Sequence, residues 1–160
     1  MAMDTFLKID DLVGESQDRQ HAGEIDVLAW SFGESNSSPP HAGGGGGAGK
    51  VSVQDLSITK HTDKSSPALL LAGANGKHFR TARLTVRKAG DRPIDYLVVE
   101  LSDVLVSSVS VSGSDGEDRL TENVTLHFEK FRYTYTPQKA DGSADTAVSM
   151  GWDMAANKPF

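Results

Sequence analysis

The sequence predicts a mainly β fold, a single barrel or sandwich of antiparallel strands with one short helix. Apolar and polar residues alternate with period 2 through most of the chain, the pattern of strands with one buried face. Only one segment carries helix start and stop signals, and no linker, repeat or second domain interrupts the 160 residues, so the whole of 1–160 reads as one domain.

Taken in order, strands are expected at about 4–10 and 24–34, followed by a long glycine-rich loop over 35–50. Val51 and Val53 then share a parity that Leu56 and Ile58 do not, so a bulge is expected near Gln54 and Asp55. TDKSSPALLLAGANG supplies candidate N-caps, a proline allowed in the first turn, an apolar run from Ala68 to Ala72 and stop glycines at Gly73 and Gly76. It predicts a helix of two or three turns covering a barrel end or side. In 80–87, Ala82, Leu84 and Val86 fall on one face and Arg83, Thr85 and Arg87 on the other. A long strand or bent pair is expected at 95–111, with the bend near Ser102 and Asp103. In 124–135 the apolar set shifts from Val124, Leu126 and Phe128 to Phe131, Tyr133 and Tyr135, which predicts a second bulge near Glu129. A last strand is expected at 147–153.

Two stretches are apolar on both faces. EIDVLAWSF places Ile25, Val27 and Ala29 opposite Leu28, Trp30 and Phe32, and YLVVEL over 96–101 behaves alike. A small barrel buries one face of each strand, so the second face needs the helix or another subunit as cover. Long covering loops of a sandwich are the alternative.

The bulk properties exclude several classes. A net charge of −6 argues against nucleic-acid binding or attachment to anionic lipid, both of which need clustered Lys and Arg. With no cysteine there is no disulfide, thiolate metal site or cysteine nucleophile. MAMDTFLKIDDLVGES has early acidic residues and no long apolar run, so neither a signal peptide nor membrane insertion is expected.

Individual motifs fail on context. Gly44 to Lys50 in HAGGGGGAGKVSV fits a phosphate-binding loop until Val51 stands where a hydroxyl should hold magnesium. The glycines also precede a strand pattern, whereas such loops need a helix N-terminus behind them. His21, His41, His61, His78 and His127 show no metal-ligand spacing, and Asp115, Glu117, Asp118 and Glu122 depart from a calcium loop. Ser57 and Lys60 in SITK match a serine-x-x-lysine template, but on a strand they point to opposite faces. No serine triad elbow is present, and neither enzyme activity nor a cofactor is expected. Asn36 and Asn123 match glycosylation acceptors without a secretory signal to give them meaning, and Trp30 and Trp152 read as core or interface aromatics.

HAGEIDVLAWSFG, GGGGGAGKVSVQDLSITK, DKSSPALLLA, KHF with TVRKAG, VSSVSVSGSDGEDRLTENVTLHF, YTPQKADG and the late GW, in that order, resemble the Hcp family, tube proteins of bacterial type VI secretion systems. The likeness covers nearly the whole chain, except Ser35 to Ala42, Asp91 to Pro93 and the tail after Met154. It implies a compact β-barrel of two antiparallel sheets with one short side helix and a long extended loop. It further implies homohexameric rings stacked into a hollow tube, propelled with a spike protein by a contractile sheath and carrying small effectors in the lumen. Assembly would be in the bacterial cytoplasm, and export would follow without a signal peptide. On that reading Trp30 and Phe32, or Ile25 and Val27 opposite them, are the ring-contact candidates. Gly43, Gly44, Gly45, Gly46, Gly47 and Lys50 belong to the loop that reaches other rings, and Ser31 and Ser114 are the candidates for the lumen surface.

Overall fold

The computed structural model describes residues 3–37, 50–90 and 92–160. Among them are β1 (Met3–Ile9), β2 (Ile25–Asp26), β3 (Ala29–Ser31), β4 (Glu34–Asn36), β5 (Val51–Val53), β6 (Leu56–His61) and α1 (Ser66–Asn75). There follow β7 (His78–Lys88), β8 (Ile94–Ser112), β9 (Thr121–His127), β10 (Lys130–Tyr135), β11 (Val148–Asp153) and β12 (Lys158–Pro159). Every strand pair is antiparallel, so the fold is mainly β with one short helix, as the alternation predicts. The strands form a ten-stranded sheet, branched at β8, and a separate two-stranded ribbon, β4–β5.

The long strand β8 organises the branch. Its first half pairs with β10 (Leu97–Tyr135 to Ser102–Lys130) and its second half with β9 (Leu105–His127 to Ser112–Thr121). Asp103 lies between the halves with φ of 56°, so the bend expected near Ser102 and Asp103 is present. From β8 one arm runs through β7 and β1 to β2, and another through β9 and β6 to β3. The barrel is not closed by a ladder between a first and a last strand. Instead β2 and β3 are successive pieces of one stretch, and between them Val27 N–H donates to Thr5 O while Leu28 N–H donates to Thr59 O.

Inside, Leu7 and Ile9 meet Leu84, Val99, Leu101, Leu56, Ile58, Val124, Leu126 and Phe128, all fully buried. Each such side chain contributes about 1.5–3 kcal/mol through burial. Helix α1 begins with a proline in its first turn and ends on Gly76, whose φ of 69° suits glycine. Leu69 and Ala72 face the core, so the helix covers the side of β8. Gly73 lies within the helix, and Gly76 alone is the stop.

The parity shifts have two different causes. Ser31 pairs with Ser57 and Glu34 with Val53, three steps against four, which places an extra residue at Gln54–Asp55 as expected. At Glu129 no residue is added: Lys130 pairs with Ser102 and His127 with Leu105, three steps on each side. The shift there is a break between β9 and β10 that lets both Phe128 and Phe131 turn inward. The irregularity in this ladder lies in β8 instead, between Val106 and Ser108.

The expectation for 80–87 needs correcting on one face. Arg83 is exposed, but Thr85 and Arg87 are buried, because residues 10–24 fold over that side of β1 and β7. Arg87 donates to Asp18 from both Nη atoms and to Asp4 at 3.3 Å. The covering segment is drawn tight where Gly14 N–H donates to Gly23 O and Ser16 N–H to Glu24 O. A Cβ on Gly14 would sit 2.5 Å from Glu24 O and 2.8 Å from Ile25 Cα, both backbone atoms. Gly14→Ala is therefore expected to cost about 1–3 kcal/mol. An unchanged urea midpoint would show that this close approach is not required.

Candidate functional site

The ring-contact candidates fall in different environments. Ile25 and Val27 are 1% and 8% exposed and belong to the core of their own chain, which leaves them almost no surface for a partner. The alternation in EIDVLAWSF breaks between β2 and β3. Ile25 and Val27 are filled in by β1 and β6, Leu28 (54% exposed) and Ala29 both face out, and Trp30, paired with buried Ile58, turns back to the inward side and is half-buried against the core. Phe32 is also half-buried, and its ring is engaged within the chain by Phe131 at 5.1 Å edge-on, Phe128 at 6.0 Å and Tyr133 at 6.5 Å. Leu28 therefore carries most of the apolar surface that this stretch leaves open, and Trp30 adds only the part of its ring that the core does not cover. Lys50 is exposed just before β5, while Gly43, Gly44, Gly45, Gly46 and Gly47 lie outside the described residues. Ser31 is exposed at the end of β3 and Ser114 in the turn after β8.

A second apolar surface was not singled out by the sequence. On β10 and β11 the pairs Phe131–Trp152, Tyr133–Met150 and Tyr135–Val148 are alternate rungs of one ladder and so share a face. The first rung packs in or against the core, and the rows then run outward until Val148 is 66% and Met150 43% exposed. Next to them a groove of about 470 Å³ is lined by Glu34, Ser35, Asn36 and Val51 of the ribbon and by Met150, Trp152 and Asn157. The residues were readable as strands. Their position at the outer end of the sheet, where only β12 pairs beyond β11, was not.

The polar clusters are structural in their chemistry. Lys60 points away from Ser57 and reaches Ser66 of α1 at 3.0 Å, but both are sealed in the interior. Its Nζ is held by Glu122 at 2.7 Å and Asp63 at 3.1 Å. Burial alone would raise the Glu122 carboxyl, yet bonds from Lys60, Thr62 and Ser66 outweigh it and hold the group below its ordinary value. At the surface Asp55 accepts from Ser107 Oγ at 2.6 Å and pairs with His127 Nδ1 at 2.9 Å. With the carboxylate between the other two, the imidazole is not placed to take a proton from the hydroxyl as a triad requires. Val51 pairs with Asn36 in a strand, so no helix N-terminus follows the glycine run. Among the described residues no group of three or more His, Asp or Glu is placed to hold a metal ion, and no helix is long and apolar enough to cross a membrane.

Comparison with known proteins agrees with this architecture over the full length. A family model described as "Type VI secretion system effector, Hcp" matches residues 6–135. Protein hcp1 of Pseudomonas aeruginosa strain PAO1 is 58% identical over 159 residues, 98% of each chain. Among solved structures, one described as a type six secretion system protein superposes with a TM-score of 0.94 at 30% identity, over 99% of this chain and all of the other. Hcp1 from Salmonella typhimurium superposes with a TM-score of 0.82 at 40% identity over the whole of both chains.

Proposed function

Since the chain belongs to the Hcp family of type VI secretion proteins, we propose that it is a tube subunit, forming homohexameric rings that stack into a hollow tube. The spike protein, the contractile sheath and small effectors in the lumen are its partners on this reading. Assembly takes place in the bacterial cytoplasm and the type VI machine exports the tube. The role is structural, with no catalytic step.

The observation that supports ring formation is a pair of unlike apolar surfaces at two separate places on the sheet. Leu28 and Trp30 lie where β2 passes into β3, and Val148 and Met150 lie on β11 at the other end. A head-to-tail contact joins two different patches, and when its rotation closes after a few copies it makes a ring. We assign the ring contact to these two patches, with Phe32 lying inward against Phe131 and Tyr133 of β10. Contacts between rings repeat without closing, and the segment joining β4 to β5, with Gly43–Gly47 and Lys50, is assigned to them, glycine allowing close backbone approach.

Light scattering on the purified chain tests the reading, since a ring has six times the 17.1 kDa of one chain. A stable mass near 17 kDa at high concentration would instead favour a monomeric β-sandwich binding or adhesive module. For the lumen, Ser31 and Ser114 are assigned as small polar contacts that hold varied cargo briefly. Ser114→Gln is expected to leave the ring mass unchanged and to lower effector levels in producing cells, and equal effector levels would remove Ser114 from the cargo surface.

A further inference from the structure

Residues 10–24 cross the outer side of β1 and β7 as a strap, and one of its fastenings is a buried histidine. His21 is 3% exposed and stacks on Phe6 of β1 with ring centres 4.4 Å apart and planes 9° from parallel. Its Nδ1 is 2.8 Å from Glu24 Oε2 within the strap, and its Nε2 is 3.6 Å from Asp95 Oδ1 on β8. Nε2 is buried and makes no hydrogen bond. We propose that protonation of His21 fastens this strap to the sheet, so that the fold carries a pH-sensitive clamp independent of any assembly contact.

The argument rests on the lone pairs of the ring. A neutral imidazole has one N–H and one acceptor nitrogen. With the hydrogen on Nδ1, the Nε2 lone pair faces the Asp95 carboxylate. With the hydrogen on Nε2, the Nδ1 lone pair faces Glu24 at 2.8 Å. The first form leaves Nε2 facing the half-exposed Asp95 carboxylate at 3.6 Å, the second sets Nδ1 against buried Glu24, and the imidazolium alone points an N–H at both carboxylates.

The wider charge arrangement has the same sign. Facing the strap are Asp4 and Lys8 from β1, Arg87 from β7 and Asp95 from β8, and the strap itself contributes Asp10, Asp11, Glu15, Asp18, Arg19 and Glu24. Seven carboxylates thus stand against three cations, of which Arg87 is already matched to Asp18 and Asp4. Asp95 is the direct register partner of Arg87, so a bond from His21 to Asp95 would tie the strap to β8 beside the existing tie to β7. An imidazole ordinarily changes charge between about pH 5 and 8. The clamp is therefore closed at the acid side and loosens as the ring loses its proton.

Amide hydrogen exchange on the full-length protein, corrected for intrinsic rates, tests this at pH 5.5 and 8.5. Protection of Gly14, Ser16 and Gly23, whose N–H groups bond within the strap, is expected to fall about tenfold at the higher pH, while amides of β7 such as Leu84 hold. In Asp95→Asn the side-chain amide can donate to a neutral Nε2, so the pH contrast is expected to shrink below about twofold. Asp95 is half-exposed, so this variant keeps its fold even if His21→Gln does not. Equal protection at both pH values in the unmodified protein would overturn the clamp, as would a tenfold contrast that survives Asp95→Asn.

Discussion

Lys60→Met is expected to lower the unfolding free energy by about 3–5 kcal/mol, the cost of leaving a buried carboxylate without its cation. Lys60 and Glu122 are both enclosed, with 2.7 Å between Nζ and Oε1, and they join β6 to β9 under the first turn of α1. Methionine fills much of the same space, so the loss reports charge and hydrogen bonding more than a cavity. A double replacement, Lys60→Met with Glu122→Leu, is expected to recover most of the stability, because a matched apolar pair removes the stranded charge. Guanidinium denaturation of both variants decides the matter, and equal losses in the two would mean that packing, not charge, governs the site.

The same pair fixes a pH dependence whose sign is defined. Glu122 is held below its ordinary value in the folded protein, so its contribution is present above the ordinary carboxylate range and disappears as the pH falls through the folded value. Acid should therefore narrow the gap between the unmodified protein and Lys60→Met, since protonating Glu122 removes the charge that the variant leaves unpaired.

Those two residues show what alternation can and cannot tell. Ala82, Leu84 and Val86 are inside as the pattern says, and Gly76 stops the helix because its backbone needs φ above zero. These are local facts, set by pleat and propensity. Lys60 and Glu122 lie 62 positions apart, and nothing near either one in the chain announces the other. Arg87 and Thr85 likewise look solvent-facing until a strap from 10–24 covers them. A shift of parity is also ambiguous when read locally, because an inserted residue at 54–55 and a break at 128–129 leave the same trace. For the candidate site the limit is similar: two apolar faces are expected in EIDVLAWSF, but the switch of parity at Leu28–Ala29, which turns Trp30 inward beside Ile58, follows from β2 pairing with β1 and β3 with β6. Val148 and Met150 matter because of where the topology ends, and sequence pattern does not encode that.

Replacing both Val148 and Met150 by aspartate is expected to reduce the particle from six chains to one. Both side chains are exposed, 66% and 43%, so the monomer should keep its thermal midpoint within a few degrees. In a ring the exposed parts of both, together about one side chain's worth, would be buried, and losing them removes about 1.5–3 kcal/mol per interface before the cost of burying two carboxylates is added. At about 1.4 kcal/mol per tenfold, every one of the six contacts weakens by one to two orders of magnitude from the apolar loss alone, and the buried carboxylates add to it, enough to empty a ring at micromolar concentration. Leu28→Asp damages the other patch and should have the same effect alone. Mixing the two variants then separates the possible geometries. If the patches meet head to tail, the intact Val148–Met150 surface of one variant fits the intact Leu28 surface of the other, and a two-chain species of twice 17.1 kDa appears and grows no further. If instead each patch meets its own copy, each variant would form dimers by itself and mixing would add nothing. A Val148→Asp, Met150→Asp protein that still scatters as six chains would place the ring contact away from β11.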